Sequence, residues 1–254
     1  MITLNTPAPI AHAGILGLGV FRPERVVTND EICQKIDSND EWIQERSGII
    51  ERRRAGANEH VVSMATAAAR KALADAGITA EQLDLVMVAT VTHRYQTPSA
   101  SVEVAAALGA VNAAATDTSA ACAGFCYGLG IADGMIRSGL AKYILLIGAE
   151  KLSEIVNFED RGTAFLFADG AGAVIIGETK VQGIGPTIWG ADGTQLDAII
   201  MEPDVFTAEK TGNPSVLTMQ GQQVFRWAVG QMGDACTQAM TAAGVSVADL
   251  AAFV

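Results

Sequence analysis

Aromatic rings are scarce in this sequence: Phe, Trp and Tyr make up 6% of its 254 residues. Ala and the 26 Gly fill the space instead, which favours helices packed closely on a sheet over a disulfide-built or disordered chain. Positive charge is short too, with 17 Lys and Arg against 28 Asp and Glu and a net charge of −11. The summed field repels phosphates, so general binding of nucleic acid or of an anionic membrane is not expected, although a local basic patch stays open. Only four cysteines are present (Cys33, Cys122, Cys126 and Cys236), without paired metal spacing. No secretory leader precedes them, so they are expected to be reduced thiols of a cytoplasmic protein. Cys122 and Cys126 lie one helical turn apart, but two thiols with no nearby His make a poor zinc site. Long apolar runs are missing as well, because charges or glycines interrupt each candidate before it could span a bilayer.

Half of the residues are nevertheless hydrophobic. That is enough to bury a large core, as one large domain or two intimately packed halves. Residues 1–11 read as a flexible lead-in. The Gly-punctuated run from Ala13 to Val20 predicts a strand, Arg22-Pro23-Glu24-Arg25 turns the chain, and Thr28-Asn29-Asp30-Glu31 opens a short helix with capping chemistry. Helical periodicity from His60 ends at Ala76-Gly77, and the apolar run from Leu83 to Val91 reads as a buried parallel strand. A helix begins at Pro98-Ser99-Ala100 and stops near Gly109. Tyr143 to Gly148 is another buried strand, and Phe165 to Gly177 reads as a pair of strand-like segments around a glycine bend. Alternating strands and helices predict an α/β fold, its parallel or mixed sheet covered on both faces.

An internal repeat organises the chain further. Ala72-Leu73-Ala74-Asp75-Ala76-Gly77-Ile78-Thr79-Ala80-Glu81-Gln82-Leu83 reappears as Ala239-Met240-Thr241-Ala242-Ala243-Gly244-Val245-Ser246-Val247-Ala248-Asp249-Leu250. Each copy has a helix tail, a Gly stop, a short polar step and an apolar continuation, and a helix from Gly221 to Ala243 precedes the second. Two related halves are expected, residues 1–180 and 181–254, with the second cut short inside its first strand. Chance similarity of Ala-rich helices is the rival account.

The stretch around which the rest is arranged runs from Ala114 to Gly128. A short strand leads through Ser119-Ala120-Ala121 into a tight bend at Cys122. Gly124 to Ile136 is apolar nearly all round, which predicts a helix buried in the centre of the fold. Unpaired N–H groups and the dipole at such a helix start favour an anion, hence a thiolate and a usable nucleophile at Cys122. Most free cysteines are small buried apolar residues, and the local pattern alone leaves both readings open. A second pattern is the i,i+4 pair Trp42 and Arg46 on a short helix. Such a pair can hold a planar ring by stacking and cation–π contact, or be a packed Trp with an Arg laid over it. The run Arg52-Arg53-Arg54 reads as a solvated face.

The Ser-Ala-Ala-Cys-Ala-Gly-Phe segment at 119–125 resembles the active-site segment of β-ketoacyl-acyl-carrier-protein synthase III, a thiolase-fold condensing enzyme. Asp40-Glu41-Trp42-Ile43, Arg46 and Gly48-Ile49 are similar to that family's coenzyme A motif. Asp160-Arg161-Gly162, Phe167 to Gly172 and Val224-Phe225-Arg226 extend the likeness over most of the chain. The resemblance implies a thiolase-like, layered α-β-α-β-α fold of two related halves and an acyltransferase of type II fatty acid synthesis. Acyl-CoA would acylate Cys122, and malonyl-acyl-carrier protein would then lose carbon dioxide to give an enolate that attacks the acyl-cysteine. The amide of Cys122 would help hold the thioester oxyanion.

The resemblance further implies that Trp42, Arg46 and Arg161 hold the CoA nucleotide, with Ser38 at the same mouth, and that Thr97 and Phe167 line the acyl channel. Thr97 in place of a large aromatic points to room for longer acyl chains. An acidic carrier protein needs a local basic docking face on an acidic enzyme; Arg226 and the Arg52–Arg54 run are the candidates. A homodimer is expected, with no metal and no bound cofactor, acyl-CoA being a substrate. The family's decarboxylating His and Asn would fall beyond Val254, and none of His12, His60 and His93 matches them. His12 and His60 read as surface residues and His93 as structural, so the chain as written is expected to accept an acyl group without completing condensation. Alternatives are another condensing enzyme of the superfamily, of secondary metabolism or the 3-hydroxy-3-methylglutaryl-CoA synthase type, and a non-catalytic acyl-binding partner. The Trp42–Arg46 segment favours synthase III over the first, and Cys122 in its small-residue bend argues against the second.

Overall fold

The computed structural model describes residues 7–253. In chain order the elements are β1 (Ala13–Phe21), β2 (Arg25–Thr28), α1 (Asn29–Cys33), α2 (Asp40–Ser47), β3 (Glu51–Arg54), α3 (Val61–Ala76) and β4 (Leu85–Ala89). Next come α4 (Ala100–Leu108), β5 (Ala114–Thr118), α5 (Gly124–Arg137), β6 (Tyr143–Lys151) and β7 (Asp169–Glu178). The chain closes with β8 (Ile199–Glu202), α6 (Val205–Thr211), β9 (Val216–Met219) and α7 (Gly221–Ala243). It divides into two compact units. One comprises the described residues up to Pro23, Ala55–Lys151 and Gly170–Thr187. The other comprises Glu24–Arg54, Leu152–Asp169 and the residues from Ile188 onward.

The first unit is a five-stranded mixed sheet in the order β1-β7-β6-β4-β5. β4 pairs in parallel with both β5 and β6, and β1 pairs antiparallel with β7. Alternation along β4 divides its side chains between two cores. Val86 and Val88 pack with Ala65, Ala68, Ala69 and Ala72 of α3, whereas Leu85 and Met87 pack with Ala132 and Ile136 of α5. Small residues set the spacing of these layers. A Cβ at Gly19 of β1 would lie 2.1 Å from the Ala68 carbonyl of α3, and one at Gly128 of α5 would lie 2.5 Å from Leu146 of β6.

α5 is buried along one edge only, at Gly124, Gly128, Ala132 and Ile136. The all-round burial expected from its composition does not occur, because the sheet covers one face and Ile131 on another remains exposed. Two further expectations are corrected. Phe165 to Ala168 is not a strand, and β7 starts only at Asp169 and runs unbroken through its glycines. Ile10, placed in the expected flexible lead-in, instead packs on the α5-side core and donates from its amide to Arg137 O at 2.9 Å; residues 1–6 lie outside the described residues.

Both copies of the repeat fold alike locally. α3 ends at Gly77 (φ 67°) and α7 at Gly244 (φ 70°). A one-turn 3-10 helix follows each, Ala80–Gln82 and Val247–Asp249, opened by a capping box on Thr79 and Ser246 respectively. The first copy continues into β4, while 250–253 carry no strand.

The second unit is centred on Val27, Ile32, Ile36, Ile43, Ala164 and Phe165. It holds the antiparallel pairs β2–β3 and β8–β9. No residue of α7 is buried. Among the described residues no helix is long and apolar enough to cross a membrane.

Candidate active site

β5 delivers the chain through Ser119 and Ala120 into a 3-10 turn, Ala121–Ala123, that leads directly into α5. Cys122 therefore sits in the expected bend, two residues ahead of a helix that starts at Gly124 as the sequence predicts, and it is exposed. Ala121 before it has φ 44°, the single positive φ of a non-glycine residue in the described chain. An L-residue there carries about 1–2 kcal/mol of strain, which the surrounding packing has to hold. That packing is close: a Cβ on Gly124 would lie 3.1 Å from Ala89 Cβ of β4. The sheet thus pins the turn that presents the sulfur. Cys126 is exposed as well.

In the second unit Trp42 is held as a platform. Asn39 caps α2 by accepting from the Trp42 amide at 2.8 Å, and Gly48 closes the helix at φ 71°. Phe165 meets the Trp42 ring edge-on, with centroids 5.6 Å apart. The guanidinium carbon of Arg46 stands 5.1 Å from the ring centre and that of Arg161 4.4 Å. Asp160 shapes the Arg161 turn, accepting from the Gly162 amide at 2.9 Å and from the Thr163 hydroxyl. Two exposed cations on one half-buried indole make a surface suited to a flat, electron-rich ring beside phosphates. Ser38 stands just ahead of α2, its hydroxyl shielded from solvent and unpartnered among the described residues.

The Arg run is not a solvated face. Arg52 is 4% exposed and donates to Val27 O at 3.1 Å and to Asn29 Oδ1. Burial lowers its pKa below the ordinary arginine range. Asn29 in turn donates to Asp40 Oδ1 at 2.7 Å and to Ile49 O at 2.8 Å. Hydrogen bonds from Gln44 and Asn29 hold the Asp40 carboxyl below its ordinary 3.8. This network ties β3 to both ends of α2. Arg54 stacks on Phe158 at 4.2 Å, and only Arg53, beside Glu51 at 3.6 Å, resembles a surface residue.

Thr97 is exposed in the β4–α4 loop and Phe167 is half-buried ahead of β7. Arg226 is exposed on α7, its Nε 3.3 Å from Gln222 O. His60 is no plain surface residue: it caps α3 in a reciprocal box with Ser63. His12 is half-buried rather than exposed. His93 Nε2 lies 3.1 Å from Pro98 O and 3.4 Å from Glu103, in keeping with a structural role. Sequence reasoning missed Phe165, hidden in a supposed strand, and Glu150, an acidic residue at a strand end with no motif around it. Among the described residues no group of three or more His, Cys, Asp or Glu is arranged to hold a metal.

Residues 116–193 match the family model of 3-oxoacyl-[acyl-carrier-protein] synthase III. The chain is 50% identical over 256 residues to the mycobacterial β-ketoacyl-[acyl-carrier-protein] synthase III of Mycobacterium tuberculosis, covering 100% of this chain and 76% of that protein. Its counterpart from Mycolicibacterium paratuberculosis is 51% identical over 95% of this chain and 73% of its own length. Among solved structures, the priming β-ketosynthase of the R1128 polyketide biosynthetic pathway superposes with a TM-score of 0.95 at 42% identity, over 99% of this chain and 75% of that one. The synthase III of Aquifex aeolicus gives 0.84 at 39%, over 92% and 73%.

Proposed function

Because the chain belongs to the 3-oxoacyl-acyl-carrier-protein synthase III family, condensing enzymes of type II fatty acid synthesis, we propose that Cys122 is its acyl-accepting nucleophile. The observation that carries this is the exposed sulfur in the turn opening α5. The thiolate adds to the acyl-CoA carbonyl, the Cys122 amide meets the tetrahedral oxyanion, and collapse expels the CoA thiolate. The product is an acyl-cysteine thioester, still activated toward the enolate that decarboxylation of malonyl-acyl-carrier protein provides.

Trp42, Arg46 and Arg161 hold the CoA nucleotide, supported by the ring and cation geometry at Trp42, and Ser38, just ahead of α2, lines the same mouth. Thr97 and Phe167 line the acyl channel. Arg226 docks the carrier protein, supported by its exposure on α7; buried Arg52 is removed from that role. We further propose a homodimer, for which the unpaired outer edge of β5 in the sheet offers a surface. Two related halves are supported by the repeated helix, glycine cap and 3-10 step. A cytoplasmic location is supported by four free thiols, and the net charge of −11 argues against nucleic-acid and membrane partners.

The test is intact-mass spectrometry of the chain after incubation with acyl-CoAs of graded length. One acyl adduct is expected on the native chain and none on Cys122→Ala. No adduct across the series, or an adduct that survives Cys122→Ala, overturns the assignment.

A further inference from the structure

The parallel strands β4, β5 and β6 bring their carboxyl ends to one edge of the sheet, where Ala89 pairs with both Thr118 and Gly148. The Cys122 turn follows Thr118, the β4–α4 loop follows Ala89, and Glu150 stands two residues beyond Gly148. Residues two apart on a strand face the same side. That side is the one on which α5 lies, because a Cβ on Gly148 would be 3.5 Å from Phe125. Glu150 therefore occupies the same edge and the same face of the sheet as the start of the Cys122 helix.

Its carboxylate takes hold of the β4–α4 loop at its root. One oxygen accepts from the Val91 amide at 2.9 Å. The other accepts from the Thr90 hydroxyl at 3.3 Å and from the Thr92 hydroxyl. Thr92 Oγ1 in turn accepts from the Lys151 amide at 2.9 Å, and Thr90 Oγ1 from the Thr92 amide at 3.2 Å. The far end of the loop is held by Asp117 of β5, whose two oxygens accept from the Ala100 and Ser101 amides at 2.8 Å each. His93 bridges the middle, with Nε2 3.1 Å from Pro98 O. Thr97 lies within this clamped span.

We propose that Glu150 is a positioning residue for acyl-chain selection, fixing the root of the β4–α4 loop and thereby the place of Thr97. The proposal rests on the acyltransferase reading of Cys122 and on Thr97 lining the channel. Burial of the carboxyl is unfavourable by itself and raises its pKa; closing a strand end needs only backbone pairs, whereas a side-chain carboxylate can gather one amide and two hydroxyls at once. Glu150→Gln keeps the shape but replaces one acceptor oxygen by a donor, facing hydroxyls whose own oxygens already accept amides.

Three measurements on the native chain and on Glu150→Gln test this: amide hydrogen exchange, the rate of Cys122 alkylation by iodoacetamide, and initial rates of acylation by acetyl-CoA and dodecanoyl-CoA. Exchange in residues 90–99 should rise about tenfold with the rest of the sheet unchanged. Alkylation should stay within about twofold, while the dodecanoyl-to-acetyl rate ratio shifts by about fivefold or more. An unchanged ratio overturns the proposal, and so does a loss of protection spread across the whole sheet, which would mark Glu150 as a general stabiliser. If the native chain takes no acyl group from either thioester, the acyltransferase reading fails and the selective role with it. Exchange in 90–99 then shows whether the clamp itself exists.

Discussion

Trp42 and Arg161 meet with the guanidinium carbon 4.4 Å from the ring centre, although one belongs to a capped helix and the other to a turn more than a hundred residues later. The meeting requires both the Asn39 cap that fixes the indole and the Asp160 turn that aims the arginine. A planar guanidinium can lie flat over a ring where an ammonium offers only a point charge.

Trp42→Ala is expected to weaken acyl-CoA binding about tenfold, from loss of the stacking face and of two cation–π contacts. Arg161→Lys should fall between the native chain and Trp42→Ala. Calorimetric titration with a non-reactive CoA thioether checks both, and unchanged affinity in Trp42→Ala would remove the indole from the binding surface.

Ala121 carries its strain in the backbone. Valine at φ 44° adds a β-branched clash to a conformation already disfavoured for alanine. Ala121→Val should lose about 1–2 kcal/mol of stability, whereas Ala121→Gly should stay within about 1 kcal/mol of the native chain. Urea unfolding curves separate the two, and equal midpoints would mean that the turn adopts another conformation in solution.

Arg52 and Arg53 are neighbours with opposite prospects. Arg52→Met leaves Asn29 Oδ1 and Val27 O without their donor and should lose about 3 kcal/mol. Arg53→Ala, half-exposed beside Glu51, should change stability by no more than about 0.5 kcal/mol. Reversal of this order in urea unfolding would place Arg52 in solvent.

Glu150 should leave a mark on the pH dependence of stability. Burial pushes its carboxyl above the ordinary 4.5, so the folded chain holds that proton more tightly than the unfolded one. Its contribution is full below the unfolded value and is lost as pH rises through the raised folded value. The stability of the native chain relative to Glu150→Gln should therefore fall as pH climbs from about 4.5 and level off above the folded value. Asp40 and the other lowered carboxyls are common to both proteins and cancel. A difference that stays flat with pH would show that Glu150 titrates as an exposed group.

Much of this was legible in the sequence where one residue type has one conformational use. Gly77, Gly109 and Gly244 were readable as helix stops, and each adopts a positive φ at a helix end. Thr28 ahead of Asn29-Asp30-Glu31 was readable as a helix start, and its hydroxyl accepts from the Glu31 amide. The Cys122 turn was readable from its small residues, but not its left-handed step, which falls on alanine rather than on glycine. Three successive arginines concealed the strand period of two: β3 turns Arg52 inward and leaves its neighbours at the rim, a distinction that identical residues cannot display. Phe165 and Phe167 resembled strand residues because apolar character alone does not separate a strand from a packed turn. Glu150 gave no local signal, since its partners come from a loop about sixty positions earlier in the chain.

Gly17 and Gly19 let β1 touch the backbone of α3, where even one added carbon would lie 2.5 and 2.1 Å from the carbonyls of Ala72 and Ala68. With almost no side-chain cushion between helix and strand, bulk added there is not absorbed by a neighbour changing rotamer; it lifts the helix. Random mutagenesis should therefore find this seam, remote in sequence from the reactive sulfur, among the least tolerant parts of the molecule, and loss of activity there would report geometry rather than chemistry.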